Sequence, residues 1–334
     1  MHKLYLFFGA LVALLCTPLN PTHAANSEAG AGFTIGINAP DSEEKTYVQY
    51  QLKANEQKKI ALTINNRQAT TQKYEVTAVK AGTSSTGTTL YSPKMATVNI
   101  FQPQLPDMLT PKKQTVTVPA KQSKTVDYLI KSPADGISGD VLGALYVHKS
   151  LDAEKQKGIG VQNAFAMSMP IHLYGSDQKS IMPKLKLSDA KVTKTGGDTM
   201  VVTKLTNAAA RFFGHITMKT QVVNAAGNNI ANTTLEDIEM APAAVMAHNI
   251  PVKADSLKAG KYTVKTKLTS GKKTYHLTDT FVVKASTVRE LKTDTNQSTD
   301  RNWLIWLIAG LLAVTITLLV ALIVVTRKKK GAAS

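Results

Sequence analysis

From Phe33 to Leu173 apolar and polar residues alternate with period two, in short runs broken by polar or Gly/Pro segments. Successive side chains of an extended chain point to opposite sides, so this period marks strands with one buried face. In YVQYQL, Val48, Tyr50 and Leu52 share a side; in KIALTIN, Ile60, Leu62 and Ile64 do; in KYEVTAV, Tyr74, Val76 and Ala78 do. FTIGI at Phe33, Thr115 to Val118, TVDYLI with Val126, Tyr128 and Ile130, DVLGALYVH and AFAMSMPIHL bring the candidate strands to eight. Asn65, Asn66 and Arg67 read as a turn, and GTSSTG (Gly82 to Gly87) as a flexible loop.

A second series follows the polar break GSDQKS at Gly175 to Ser180: PKLKLSDAKV, TMVVTKLTN, HITMKTQVVN, Ala247 to Val252, KYTVKTKLT and TYHLTDTFVV. Turn chemistry separates them at Gly196-Gly197-Asp198, Gly227-Asn228-Asn229 and Ser270-Gly271-Lys272. In LKAGKYTV, Tyr262 stands where immunoglobulin-like domains place a strand-start tyrosine bonded back to upstream backbone. The expected architecture is therefore all-β, two tandem immunoglobulin-like β-sandwich domains over residues 31–174 and 181–284, then a polar stalk, 285–302, and one transmembrane helix. No long amphipathic helical period interrupts the strands.

The two ends read differently from the middle. Trp303 to Thr326 contains no charge, and as a helix it would be about 36 Å long, enough to cross a hydrocarbon core of about 30 Å. Trp303 and Trp306 suit the interface, and Arg327, Lys328, Lys329 and Lys330 follow at once, which predicts a cytoplasmic tail (327–334) and an extracellular N-terminal portion. This predicts a cell-membrane protein with a single span. Leu4 to Cys16 after Lys3 is apolar but too short for an ordinary span, so residues 1–24 read as a signal peptide, cleaved after Ala24 or Ala25. Leu15 before Cys16 argues against lipidation.

Cys16 is the only cysteine, so no disulfide can form within the chain and the fold rests on core burial. Extracellular animal domains of this size usually carry disulfides, so the pattern points to a bacterial, Gram-positive surface. The formal charge is +17, or about +12 once Lys3 and the four tail cations are set aside, an excess that favours anionic polymers such as wall phosphates or acidic glycans. Without aromatic interleaving or a reading motif, nucleic acid is not the expected partner. The same lysines also serve to solubilise a β-rich surface and blunt its edges.

Catalytic patterns are missing. His148, His172, His215, His248 and His276 are scattered, with no HExxH and no cysteine to complete a metal site, so no metal or cofactor is expected. There is no GxSxG elbow. Asp135 and Asp140 in PADGISGD read as a turn, and GAGFTIG opens no helix and is no dinucleotide loop. QLPDML near Leu105 is not a sortase signal.

In its order of parts the chain resembles the WxL-interacting proteins of Gram-positive bacteria. The resemblance rests on LTINNRQATTQKYEVTAV, VTVPAKQSKTVDYLI and the glycine motif SGDVLGALYV (Ser138 to Val147) in the first half, with Gly139 and Gly143 as its glycines. In the second half it rests on MSMPIHLYG, PKLKLSDAKV, LTN at Leu205 to Asn207, APAAV at Ala241 and LKAGKYTV. Where the family usually has a doubled glycine, this chain has Gly143-Ala144. The resemblance implies a peptidoglycan-binding first domain, a second domain for a host or partner ligand, and association with secreted WxL proteins. The expected function is thus a non-catalytic surface adaptor; a cell-wall hydrolase or protease, or an extracytoplasmic sensor acting through another membrane protein, are the alternatives.

Overall fold

A computed structural model describes residues 31–98, 103–150, 165–297 and 306–318. The chain divides into two compact units, the first taking residues up to Lys80, Tyr91–Pro93 and Pro103–Ser176, the second Ala81–Leu90, Lys94–Gln102 and the chain from Asp177.

The first unit is built from β1 (Phe33–Asn38), β2 (Val48–Gln51), β3 (Gln57–Asn66), β4 (Gln72–Thr83, whose last three residues count with the second unit), β5 (Thr89–Tyr91, of which Tyr91 counts with the first), the short helix α1 (Leu105–Met108), β6 (Leu109–Thr110), β7 (Lys113–Val118), β8 (Ser123–Lys131), β9 (Asp140–Lys149) and β10 (Ala166–Tyr174). One sheet runs β1-β3-β8-β6, the other β2-β10-β9-β4-β5 with β7 also on β4. β3 shows why the pattern folds this way: Ile60, Leu62 and Ile64 are buried while Lys59, Ala61 and Thr63 turn outward. Each inward aliphatic contributes about 1.5–3 kcal/mol of burial. They meet Val76, Leu145, Val147, Ile171 and Leu173 of the opposite sheet in one core, so the two sheets form a sandwich. The parallel pairing of β2 with β10, His172 opposite Gln49, completes that second sheet. All eight expected strands are present; the short β5 and β6 carry too few residues to show a period.

The second unit holds β11 (Leu185–Thr195), β12 (Asp198–Asn207), β13 (Phe213–Asn224), β14 (Asn229–Met240), β15 (Val245–Pro251), β16 (Gly260–Ser270), β17 (Lys273–Val283) and helix α2 (Ala285–Gln297). Its sheets are β11-β12-β15 and β14-β13-β16-β17. Val201, Leu205, Met246 and Ile250 of the first meet Ile216, Val222, Val264 and Leu268 of the second. Gly196 and Gly197, at φ 63° and 94°, make the two-residue turn between β11 and β12, a left-handed geometry that needs residues without a Cβ.

Three departures from the sequence reading have physical causes. β14 was not among the expected strands: it is an edge strand rich in Asn and Thr, and three register shifts against β13 break its alternation. The segment read as a stalk opens with α2, whose Leu291 is buried in the core with Val288 packed beside it. The loop Gly82 to Gly87 is held rather than free. Thr83 Oγ1 accepts from the Ala241 N–H at 3.0 Å, the Glu239 N–H donates to Gly87 O at 2.7 Å, and Ile238 fills the space a Cβ at Gly87 would need.

The expected membrane span is corrected. Among the described residues no helix is long and apolar enough to cross a membrane. The described helical stretch 306–318 includes the exposed Trp306. The single-pass membrane location is therefore unsupported. Trp303, Arg327, Lys328, Lys329 and Lys330, like the expected signal peptide, lie outside the described residues.

Each unit is pinned by one buried asparagine at a strand end. Asn66 closes β3: its amide donates to Thr70 O, Val118 O and Pro119 O at 2.9–3.1 Å, and its Oδ1 accepts from the Gln68 N–H at 3.0 Å and the Tyr74 hydroxyl at 3.2 Å. Burial pushes the Tyr74 phenol up to about 12, so it stays a donor at physiological pH. Asn207 closes β12 with the same local geometry: its amide donates to Arg211 O and Ala241 O, and its Oδ1 accepts from the N–H groups of Ala209 and Lys184. In both, Oδ1 takes the N–H two residues on and the amide donates to the carbonyl four residues on. Losing the side chain would orphan several buried backbone groups at once, so Asn66→Ala and Asn207→Ala are each expected to cost about 3 kcal/mol in chemical denaturation. A loss under about 1 kcal/mol would show that the lock is dispensable.

Candidate functional site

In the first unit the sheet face opposite the core carries polar and aromatic groups in register. On β10, Ser168, Pro170, His172 and Tyr174 alternate with the buried Met169, Ile171 and Leu173. His172 stands opposite Leu142 of β9 and Gln49 of β2, and Tyr174 opposite Asp140 and Gln51. The His172 ring packs on the Tyr174 ring at 5.6 Å between centroids, and its Nε2 lies 2.7 Å from Oδ1 of the fully buried Asp140. The carboxylate thereby fixes the ring's orientation on the sheet. The Tyr174 hydroxyl donates to both oxygens of Glu43 at 2.7 and 2.9 Å, and Gln49 Nε2 donates to the same carboxylate at 2.8 Å while its Oε1 accepts from the Tyr47 hydroxyl at 2.7 Å. The bond from Tyr174 is the largest cause holding the Glu43 carboxyl below its ordinary range, and in return it pushes the Tyr174 phenol up to about 12. A second group of the same kind occupies β9, where Tyr146 and His148 pack at 5.7 Å, His148 Nε2 sits 3.3 Å from Glu75, and Lys113 pairs with Glu75 at 2.9 Å.

These side chains are held by a close-packed frame beneath them. Gly139, at φ 67°, turns the chain into β9. At Gly143 a Cβ would meet the carbonyl oxygen of Val79 on β4 and come within 2.6 Å of Leu105 of α1. The next residue, Ala144, is fully buried and keeps its methyl. The tight approach thus falls at Gly143 alone, and Ala144 fills the place of the second family glycine. Asp140 is no turn residue but the first of β9, whereas Asp135 lies in the preceding loop.

In the second unit the Tyr262 hydroxyl donates to Lys258 O and accepts from the Lys258 N–H, both at 3.0 Å, closing a corner around Leu257. Beside it lies a shallow cavity of about 430 Å³, lined by Asn224, Asn228, Ile230, Ser256, Lys258 and Lys261 among others. His248 sits in the core, 1% exposed, with Nε2 3.2 Å from Thr220 Oγ1. Its Nδ1 has no hydrogen-bond partner, and burial pushes the imidazole down to about 4. His215 pairs with Asp237 at 2.9 Å on the exposed surface. Among the described residues no group of three or more His, Cys, Asp or Glu could hold a metal ion.

Residues 33–149 match the family model described as WxL Interacting Protein, peptidoglycan binding domain, and residues 156–293 match WxL Interacting Protein, host binding domain. The chain belongs to the WxL-interacting protein family. The two matches follow the order expected from the motifs and identify both halves of this WxL-interacting protein with binding domains. No curated relative matches the chain. Among solved structures, the Pseudomonas aeruginosa CupB2 chaperone is 11% identical over 65% of this chain and 91% of its own, with a TM-score of 0.25. The E. coli chaperone DraB is 14% identical over 75% of this chain and 96% of its own, with a TM-score of 0.28. Likenesses this slight carry no argument about function.

The sequence reading named Gly139, Gly143 and Tyr262 but missed the pairing of His172 with Asp140 and of Tyr174 with Glu43. Both join residues distant in sequence, and only the alternation that puts His172 and Tyr174 on one face of β10 could have hinted at it.

The buried His248 makes the second unit sensitive to acid. Its folded value lies below the ordinary 6.5, so the stability it contributes is full above pH 6.5 and is lost as pH falls, levelling near pH 4. The expected loss is about 3 kcal/mol, and His248→Gln should flatten that part of a stability-against-pH curve. A curve identical in parent and variant between pH 4 and 6.5 would contradict the assignment.

Proposed function

We propose that this WxL-interacting protein is a non-enzymatic adaptor of the cell surface, whose first unit holds peptidoglycan and whose second holds a host ligand, while the whole associates with WxL proteins. The observation that carries the reading is the succession of a peptidoglycan-binding and a host-binding family match along one chain. Both units are read as immunoglobulin-like sandwiches, a reading supported in the second by the Tyr262 corner.

The polar face of the first unit is suited to a glycan strand. The half-buried rings of His172 and Tyr174 offer flat apolar area, while Glu43 and Gln49 beside them offer an acceptor and an amide for sugar hydroxyls. Because Asp140 and Glu43 already orient the ring nitrogen and the phenol, little side-chain freedom is lost on binding. WxL partners would add to a sheet edge through main-chain bonds, β14 and β17 being the two edge strands of their sheet.

The test is retention of the full-length chain on insoluble peptidoglycan. Replacing both His172 and Tyr174 with Ala is expected to weaken retention at least tenfold, about 1.4 kcal/mol or more, with no soluble muropeptide released by either protein. Unchanged retention would remove this face from the account, and released fragments would revive the hydrolase reading.

A further inference from the structure

The outer face of the sheet β14-β13-β16-β17 is a field of unpaired positive charge. On β16 the inward residues Tyr262, Val264, Thr266 and Leu268 are buried, which leaves Lys261, Lys265 and Lys267 exposed on the other side. On β13, Met218, Thr220 and Val222 are buried and Lys219 and Gln221 are exposed. The register puts Lys219 directly opposite Lys267, and Lys267 directly opposite the exposed His276 of β17. The next row is Asn232, Gln221, Lys265 and Thr278.

Two observations separate this face from an ordinary solvated one. Lysines protect sheet edges from pairing, but β13 and β16 are the interior strands of this sheet, so edge protection does not account for them. Like charges directly opposite each other across strands are destabilising, and opposite charges are the usual choice. Here none of the four lysines makes an ion pair among the described residues. Asp279, the acid of β17, stands opposite Val264, and its carboxylate accepts from the Ala190 N–H at 2.8 Å. Glu236, at the rim on β14, forms no ion pair with the field. Such an arrangement lowers the stability of the free protein and is relieved by a polyanion.

We infer that this face binds a linear acidic polysaccharide, its carboxylate or sulfate groups lying along Lys261, Lys265, Lys267 and Lys219. The track from Lys261 to Lys267 is about 20 Å long, the span of an extended oligosaccharide rather than of one small anion. Between the cations stand Thr263, Gln221, Thr278 and Asn232, whose hydroxyls and amides match sugar hydroxyls. His276 is the one aromatic ring in these rows and no Phe, Tyr or Trp joins it, so the face lacks the succession of rings on which a single-stranded nucleic acid stacks its bases. The inference deepens the host-ligand reading of the second unit and rests on it.

The experiment measures binding of the full-length chain to immobilised heparin, to a neutral glucan of equal length and to a polyphosphate, at several salt concentrations. Lys219→Gln, Lys265→Gln and Lys267→Gln together are expected to weaken heparin binding at least tenfold and to flatten its salt dependence, as fewer counterions are released. The same variant should melt no lower than the parent, since the substitutions relieve repulsion. Lys59→Gln, Lys124→Gln and Lys131→Gln, equal in charge but in the first unit, should leave heparin affinity within twofold. Equal weakening by both variants, tighter binding of polyphosphate than heparin, or no heparin binding by the parent would each overturn the inference. Adhesion of the chain to host cells before and after enzymatic removal of acidic glycans separates the two levels. Adhesion that survives removal keeps the host-ligand reading and sinks this one, adhesion that disappears with the glycans supports both, and no adhesion at all sinks the host reading.

Discussion

A chain with a single cysteine has to fix the ends of its strands without a covalent staple, and here two asparagine side chains take that task. Asn66 and Asn207 each sit buried where a strand leaves its sheet, and each gathers carbonyl and N–H groups from the turn that follows and from a distant segment. Without them those backbone groups would be buried with neither water nor a partner. The lock sets the path from β3 into β4 and from β12 into β13. Those strands carry the cores beneath the outer faces of β9 and β10 in one unit and of β13 and β16 in the other. The outer faces proposed for recognition depend on strand register, because a slip of one residue would turn His172 or Lys267 into the core.

Alternation made most of this fold legible. Ile60, Leu62 and Ile64, or Val264, Thr266 and Leu268, announce their buried side by spacing alone. What stayed hidden was structure whose signal is non-local or non-periodic. β14 lacks an apolar period because it is an edge strand and bulges interrupt it. The cover that α2 lays over the core depends on Leu291 and Val288, too few apolar residues to stand out in a polar stretch. A long apolar run near the C-terminus read as a membrane span, yet among the described residues no helix is long and apolar enough to cross a membrane. Structural motif positions were legible where the motif is local, as at the close approach of Gly143 and the backbone bonds of Tyr262. The contacts of His172 with Asp140 and of Tyr174 with Glu43 are made by the fold.

On the proposed reading the two units recognise their ligands with different chemistry. The first orients rings and a carboxylate through short hydrogen bonds, which suits a neutral or mixed glycan held by shape and directional bonds. In the second, Lys219, Lys265 and Lys267 on β13 and β16 make no ion pair among the described residues, which suits the charged polymer proposed for that face. On that reading one chain would hold two unlike surfaces without either ligand competing for the other's site.

The most direct measurement is a crossed binding experiment on the full-length chain. The His172/Tyr174 double-alanine protein and the Lys219/Lys265/Lys267 triple-glutamine protein are each assayed on peptidoglycan and on an acidic polysaccharide at fixed ionic strength. Separate sites predict that the first variant loses peptidoglycan alone and the second loses the acidic polysaccharide alone. Loss of both ligands by either variant, or of neither by both, would contradict the assignment of one ligand to each unit.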